Sequence, residues 1–223
     1  RGLGDVYKRQ EKNKSIKVLN DITFNFEPGK TYSIMGPSGS GKSTLLNLLS
    51  LIDSPTAGSI EINSNKIKSN NKVENDLIRA KKIGIIYQDK NLLSDFTALE
   101  NVYLPNLLFS NDRQKSMELA KKLIKKVGMS VRINHFPNEL SGGENQRIAI
   151  ARALINNPDI ILADEPTGSL DSDNAKLIFK ILFNLKNKNR IIIFATHNRY
   201  FANMADCKIT MNNGNIKFSN API

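Results

Sequence analysis

Eight residues, Gly36-Pro37-Ser38-Gly39-Ser40-Gly41-Lys42-Ser43, followed by Thr44, fit the pattern G-x-x-x-x-G-K-[ST], whose chemistry is the holding of phosphate. Glycines there let successive backbone N–H groups turn inward around phosphate oxygens, at the positive end of the helix that follows. Lys42 would reach the β- and γ-phosphates of a nucleoside triphosphate, and the Ser43 hydroxyl would sit on Mg²⁺. A second chemical group stands where the apolar run Ile160-Ile161-Leu162-Ala163 ends in Asp164 and Glu165. Asp164 at the end of such a strand is placed to hold Mg²⁺ through water, and Glu165 to polarise the water that attacks the γ-phosphate. A third is Leu140-Ser141-Gly142-Gly143-Glu144, which opens an apolar helix. Ser141, Gly142 and Gly143 offer another set of anion donors at a helix start, while Ser141 and Glu144 are also spaced as a capping box. Both readings can hold together, because a capped helix start still presents a phosphate-binding surface.

These groups need elements to position them. Ile22, Phe24 and Phe26 alternate at period two, which predicts short strands over residues 16–27, and Pro28-Gly29 reads as a turn. Residues 31–35 read as a strand feeding the glycine loop, and residues 42–51 as the helix after it. Ser54-Pro55-Thr56-Ala57-Gly58 breaks that helix, residues 59–63 alternate like an edge strand, and the polar stretch 63–75 is expected to be a surface loop. Residues 82–87 contain a buried-type strand ending at Gln88. Met117, Ala120, Leu123, Ile124 and Val127 share one helical face, which Gly128 terminates, and a helix is expected from Gly143 to Asn156. The apolar runs at 160–163 and 190–195 are typical of strands buried on both faces of a parallel sheet. Strands alternating with helices give an α/β fold, into which residues 89–150 look like a helical insertion.

Composition narrows the classes. The net charge is +11, but the lysines are scattered and lack an interleaved aromatic platform, so no nucleic acid partner is expected. Apolar runs such as Ile191-Ile192-Ile193-Phe194-Ala195 fall far short of the roughly 18 residues of a membrane helix, and nothing resembles a signal peptide. The lone Cys207 cannot form an internal disulfide, which fits a reducing cytoplasm. The stretch Arg1 to Gln10 lacks an initiator Met and reads like translated linker. It is set aside as a non-native leader, leaving a single domain over residues 11–223.

Taken in order and spacing, the phosphate loop, Gln88, Leu140-Ser141-Gly142-Gly143-Glu144, Asp164-Glu165, Ser169-Leu170-Asp171 and His197 resemble the nucleotide-binding subunits of ABC transporters, over about residues 15–218. That resemblance implies a phosphate-loop NTPase (RecA-like) core with an N-terminal antiparallel β subdomain and an inserted α-helical subdomain. It implies ATP and Mg²⁺ as cofactors and a homodimer packed head to tail, each ATP lying between one phosphate loop and the other copy's signature. Ser141 and Gly143 would then contact the γ-phosphate in the opposite subunit, Asp171 would communicate across the dimer, His197 would contact the γ-phosphate, and Gln88 would sense metal and water. Asn198 stands where the family usually has Asp after the histidine. The adenine-stacking aromatic has one candidate, Tyr7, which falls in the leader and out of register, so no residue is assigned to it. Residues 92–102 and 163–171 resemble the branch that powers lipoprotein release and its relatives in macrolide and peptide efflux (MacB-type), with non-transport membrane complexes (FtsE-like) as a further alternative. This implies attachment at the cytoplasmic face of a bacterial inner membrane through LolC/LolE-like permease subunits docking near residues 88–105. Phe96, Leu99 and Val102 read either as an apolar docking groove or as ordinary core of an insertion helix.

Overall fold

The computed structural model describes residues 5–11, 14–68 and 71–220, with side chains over 17–68 and 71–218. Five parallel strands and one antiparallel edge strand form the main sheet, in the order β10-β9-β3-β8-β7-β6. These are β3 (Thr31–Met35), β6 (Ile83–Ile86), β7 (Ile160–Asp164), β8 (Ile191–Ala195), β9 (Cys207–Asn212) and β10 (Asn215–Asn220). Two antiparallel pairs accompany it. One joins β1 (Asp5–Glu11) to β2 (Lys14–Ile22), and the other joins β4 (Glu61–Ile62) to β5 (Asn65–Lys66). The segment set aside as a leader thus contributes β1 from residue 5. The backbone of Tyr7 pairs with Leu19, and the Tyr7 side chain lies outside the described ones.

The sheet is buried on both faces because its central strands alternate apolar side chains in both directions. Ile161, Ala163, Ile192 and Phe194 face one core, and Leu162, Ile193 and Ala195 the other. The first core is closed by α3 (Ala98–Ser110), α4 (Arg113–Lys126), α5 (Gly142–Leu154) and α6 (Ser172–Phe183), through residues such as Val102, Ile124, Ile148 and Phe179. The second is closed by α1 (Lys42–Leu49), which buries Leu45, Leu46, Leu48 and Leu49. Each buried leucine contributes about 1.5–3 kcal/mol, so those four residues fix α1, and the loop before it, to the sheet. The strands expected at 31–35, within 82–87, at 160–163 and at 190–195 are present as β3, β6, β7 and β8, and so are the helices after the two glycine motifs.

Two stretches differ from expectation. The polar segment 63–75 is not a plain loop: it holds β5 and the first turn of α2 (Lys72–Lys82). Asn71 caps α2 by accepting from the Glu74 N–H, while Arg79, Lys81 and Lys82 complement its carboxyl end. Capping and charge make the helix, and only Asn75 is buried on it, so no apolar stripe announced it. Residues 23–27 alternate like a strand but do not form one. Phe24 and Phe26 instead pack edge-on against Tyr32, with ring centroids 5.9 and 4.9 Å away, and the Glu27 N–H donates to the Tyr32 hydroxyl at 2.7 Å.

Candidate functional site

β3, β6, β7 and β8 run parallel, so their carboxyl ends meet at one edge of the sheet, where open α/β sheets bind ligands. β3 delivers the glycine loop there, β6 is followed by Gln88, β7 ends at Asp164 with Glu165 next, and β8 leads to Thr196 and His197. The cleft they enclose is about 630 Å³ and is lined by Gly36, Ser38, Gly39, Gly41, Lys42, Ser43 and Thr44 with Gln88, Asp164, Glu165 and His197. Val18, which no sequence pattern singled out, also lines it. Pro37 and Ser40 do not: the Pro37 carbonyl accepts from Lys42, and Ser40 is buried below the loop, its hydroxyl unpartnered. A larger hollow, about 910 Å³, lies near the amino ends of β7 and β8 among Phe24, Phe26, Ile60, Ile160 and Ile191. It is lined by Glu61 and Asp159, whose charge opposes phosphate binding.

The helix starts show where an anion belongs. Asn71, Thr97, Asp112, Ser141, Asp171 and Asn198 each cap a helix by a side-chain hydrogen bond. Among the described residues, α1 is the one helix of seven whose N-terminus has no such cap. Its first N–H groups therefore have no side-chain partner, at the positive end of the helix dipole. The Gly41 N-cap has φ +103°, a left-handed conformation that resists any side chain, and a Cβ on Gly36 would strike the Met211 carbonyl and the Ser40 hydroxyl. The Lys42 ammonium is folded back over the loop, donating to the Gly36 and Pro37 carbonyls at 2.8 and 2.9 Å.

Across the cleft, Glu165 has φ +44°, an unfavourable conformation for a side-chain-bearing residue and one that recurs at functional sites. Its N–H donates to the Ala195 carbonyl at 3.1 Å, tying the turn to β8. Oε2 accepts from His197 Nδ1 at 2.9 Å and faces the His197 N–H at 3.4 Å. A carboxylate partner puts the imidazole proton on Nδ1. Glu165 is mostly sheltered, with 16% of its side chain exposed, whereas 73% of the His197 side chain is exposed. The Ser43 hydroxyl, Gln88 amide and Asp164 carboxylate supply hard oxygen donors lining the same cleft. Among the described residues no three His, Cys, Asp or Glu side chains gather as a metal cage. Such a sparse oxygen set fits Mg²⁺, which keeps waters and substrate phosphates in its shell, better than a metal needing a protein cage.

Ser141, Gly142, Gly143 and Asp171 are absent from the lining of this cleft; Ser141, Gly142 and Asp171 are exposed at two helix starts, while Gly143 is buried. Ser141 caps α5 in a full capping box with Glu144, and Asp171 caps α6 by accepting from the Asp173 and Asn174 N–H groups. These bonds hold both carboxyls below their ordinary range, Glu144 chiefly through the Ser141 N–H and Asp171 chiefly through the Asn174 N–H. The two helix starts touch: a Cβ on Gly143 would lie 2.5 Å from Asn174 Oδ1. In the neighbouring segment Leu99 and Val102 are buried and belong to the core, because α3 packs against α4 and α5, while Leu93 and Phe96 are exposed. Sequence reasoning missed Asn101, which is buried. Its Oδ1 accepts from the Leu93 N–H, and its Nδ2 donates to the carbonyls of Leu93, Phe96 and Thr97.

A parallel sheet with an uncapped glycine loop and acidic residues at its strand ends defines the class of phosphate-loop nucleotide-binding proteins. The family follows from comparison. The sequence profile of the ABC transporter family matches residues 19–168, and this chain belongs to that family. The lipoprotein-releasing system ATP-binding protein LolD of Rickettsia bellii is 42% identical over 208 residues, 93% of this chain and 92% of the relative. An uncharacterised ABC transporter ATP-binding protein of Methanocaldococcus jannaschii, MJ1508, is 45% identical over 213 residues, 95% of each. The ATP-binding cassette MJ0796, solved as a dimer in a post-hydrolysis state bound to ADP and Pi, superposes with a TM-score of 0.92 at 35% identity, covering 100% of this chain and 98% of that one. No helix among the described residues is long and apolar enough to cross a membrane.

Proposed function

We propose that this chain is the ATP-hydrolysing subunit of an ABC transporter that releases lipoproteins from the bacterial inner membrane, acting as a homodimer bound to the cytoplasmic face through permease subunits. One observation carries the catalytic reading. Phosphate loop, Gln88, Asp164, Glu165 and His197 share one cleft, while Ser141, Gly143 and Asp171 lie outside it, which supports a reading in which a second copy supplies them. Likeness to a cassette solved as a dimer with ADP and Pi supports the same arrangement. The lipoprotein reading rests on relatives named for that system, such as the one from Rickettsia bellii.

In this mechanism ATP enters with its phosphates against the free N–H groups of α1. Lys42 exchanges its bonds to Gly36 and Pro37 for phosphate oxygens, so the loop is released from its own lysine as the ligand arrives. Ser43, Gln88 and Asp164 would hold Mg²⁺, which offsets charge on the β- and γ-phosphates when bound. Glu165 orients and polarises the attacking water, and the Nδ1–H bond from His197 fixes the carboxylate between turns of the cycle. Ser141 and Gly143 of a second copy close on the γ-phosphate, and Asp171 contacts across the dimer. Loss of that phosphate removes the contact and the interface opens. The helical insertion over about 89–150 would receive the permease near residues 88–105. Exposed Leu93 and Phe96, not buried Leu99 and Val102, would form the apolar contact.

Lys42→Ala tests the nucleotide reading. Loss of its charge-assisted bonds should weaken ATP binding by about 10- to 100-fold and abolish turnover, while the melting temperature without nucleotide stays near that of the parent. Unchanged affinity in a titration with fluorescent ATP would refute it. Co-purification from a native membrane tests the cargo: permeases with large periplasmic domains support lipoprotein release, and a fused drug-efflux permease contradicts it.

A further inference from the structure

Arg132 lies outside the nucleotide cleft, at the end of a short 3₁₀ turn, Ser130–Arg132, that follows α4. Its Nε donates to Glu144 Oε1 at 3.1 Å, and its Nη1 lies 3.2 Å from His135 Nε2. The other oxygen of Glu144, Oε2, accepts the Ser141 N–H at 2.8 Å, while Ser141 Oγ accepts the Glu144 N–H at 3.2 Å. One carboxylate therefore holds the signature serine with one oxygen and Arg132 with the other. The same turn also holds the start of α3. The Ala98 N–H donates to the His135 carbonyl at 2.8 Å, and the Leu99 N–H to the Ile133 carbonyl at 2.9 Å. Residues 132–135 thus link two helix starts by hydrogen bonds. One belongs to α3, beside exposed Leu93 and Phe96, and the other to α5, which carries Ser141.

A capping box is complete without an arginine, since Ser141 and Glu144 satisfy each other. Arg132 adds something the cap does not need: it fixes the free oxygen of Glu144, and so the carboxylate plane, relative to α3. From this geometry we propose that Arg132 is a positioning residue that sets the orientation of Ser141 and carries displacement of the α3 start to the signature surface. The proposal rests on the reading that Ser141 closes on the nucleotide of a second copy. It names a strut between the surface offered to the membrane partner and the surface offered to that copy.

The test starts from the full chain carrying Glu165→Gln, with ATP and Mg²⁺, and reads the dimer dissociation constant by sedimentation. Arg132→Ala is expected to raise it by about 25-fold, about fivefold at each of two symmetric contacts. Monomer affinity for fluorescent ATP and the melting temperature without nucleotide should stay unchanged, which a general loss of structure would not allow. Glu144→Gln keeps a residue able to complete the cap but loses the charge that Arg132 binds, so it should shift dimerisation alike. Combined, the two substitutions should do no more than either alone, and Arg132→Lys should recover part of the loss. If Arg132→Ala, or failing its expression Glu144→Gln, dimerises with the parent's constant, or if the two effects add, the proposal is overturned. Failure of the Glu165→Gln parent itself to dimerise would instead overturn the two-copy reading, and this proposal with it.

Discussion

Alanine at position 143 should destabilise this protein, although alanine ordinarily favours a helix. An ideal Cβ there lies 2.5 Å from Asn174 Oδ1 and 2.7 Å from Asn174 Cγ, against about 3.5–4.0 Å for a relaxed carbon contact. Asn174 must therefore retreat by about 1 Å, and because the colliding atoms end a half-buried side chain this costs about 1 kcal/mol, the low end for overpacking. Retreat also breaks its bond to Asp171, whose Oδ2 accepts from Asn174 Nδ2 at 2.6 Å. That adds about 1 kcal/mol, while the gain from replacing glycine is small, because Gly143 is the second residue of α5 and not in its interior. The net is about 2 kcal/mol, which for a chain of this size lowers the melting temperature by about 4–8 °C. Asn174→Ala removes the two colliding atoms and leaves its Cβ at 3.3 Å. The double variant should then melt within about 1 kcal/mol of Asn174→Ala alone. Calorimetry of the four proteins decides it. A Gly143→Ala chain as stable as its parent, or a double variant as unstable as Gly143→Ala, refutes the collision.

Asn101→Ala leaves the Leu93 N–H and three carbonyls without their side-chain partner and should cost about 3 kcal/mol, read by urea unfolding; a loss below about 1 kcal/mol would show that the segment before α3 does not depend on it. Acid should destabilise the fold through carboxyls held below their ordinary values. Glu100 is lowered chiefly by the Thr97 N–H and Glu144 chiefly by the Ser141 N–H. At Asp206 burial pushes upward, but the bonds from Lys186 and Thr31 outweigh it. A lowered folded value gives stability that is full above the unfolded value, about 4, and lost as pH falls through the folded one. Urea midpoints should therefore hold from about pH 7 to 5 and drop below about pH 4, with a shallower drop in Asp206→Asn.

The residues that line the cleft and the strands that carry them were legible because both depend on local sequence. A glycine loop must follow a strand and open a helix, and apolar runs such as Ile160-Ile161-Leu162-Ala163 have few alternatives to a sheet interior. Helix α2 was not legible, since Asn71 and the terminal charges make it while only Asn75 on it is buried. Phe24 and Phe26 misled, because period-two spacing suits a strand and aromatic packing on Tyr32 equally well. Leu99 and Val102 were open between groove and core until the packing of α3 placed them inside. Contacts between distant residues were invisible: nothing in their spacing joins Arg132 to Glu144, Asn174 to Gly143 or Asn101 to four backbone groups. The positive φ of Glu165 also leaves no mark in the sequence, although it stands where a glycine would be the relaxed choice.

Glu165→Gln reaches the central claim most directly, because it keeps the shape of the side chain and removes the charge proposed to polarise the attacking water. With ATP and Mg²⁺ in a sedimentation cell, this variant should persist as a dimer that ADP does not support, while its steady-state turnover falls by about 10²- to 10⁴-fold. A variant that stays monomeric with ATP, or that hydrolyses it at the parent's rate, would contradict both the role given to Glu165 and the closing of two copies around the nucleotide.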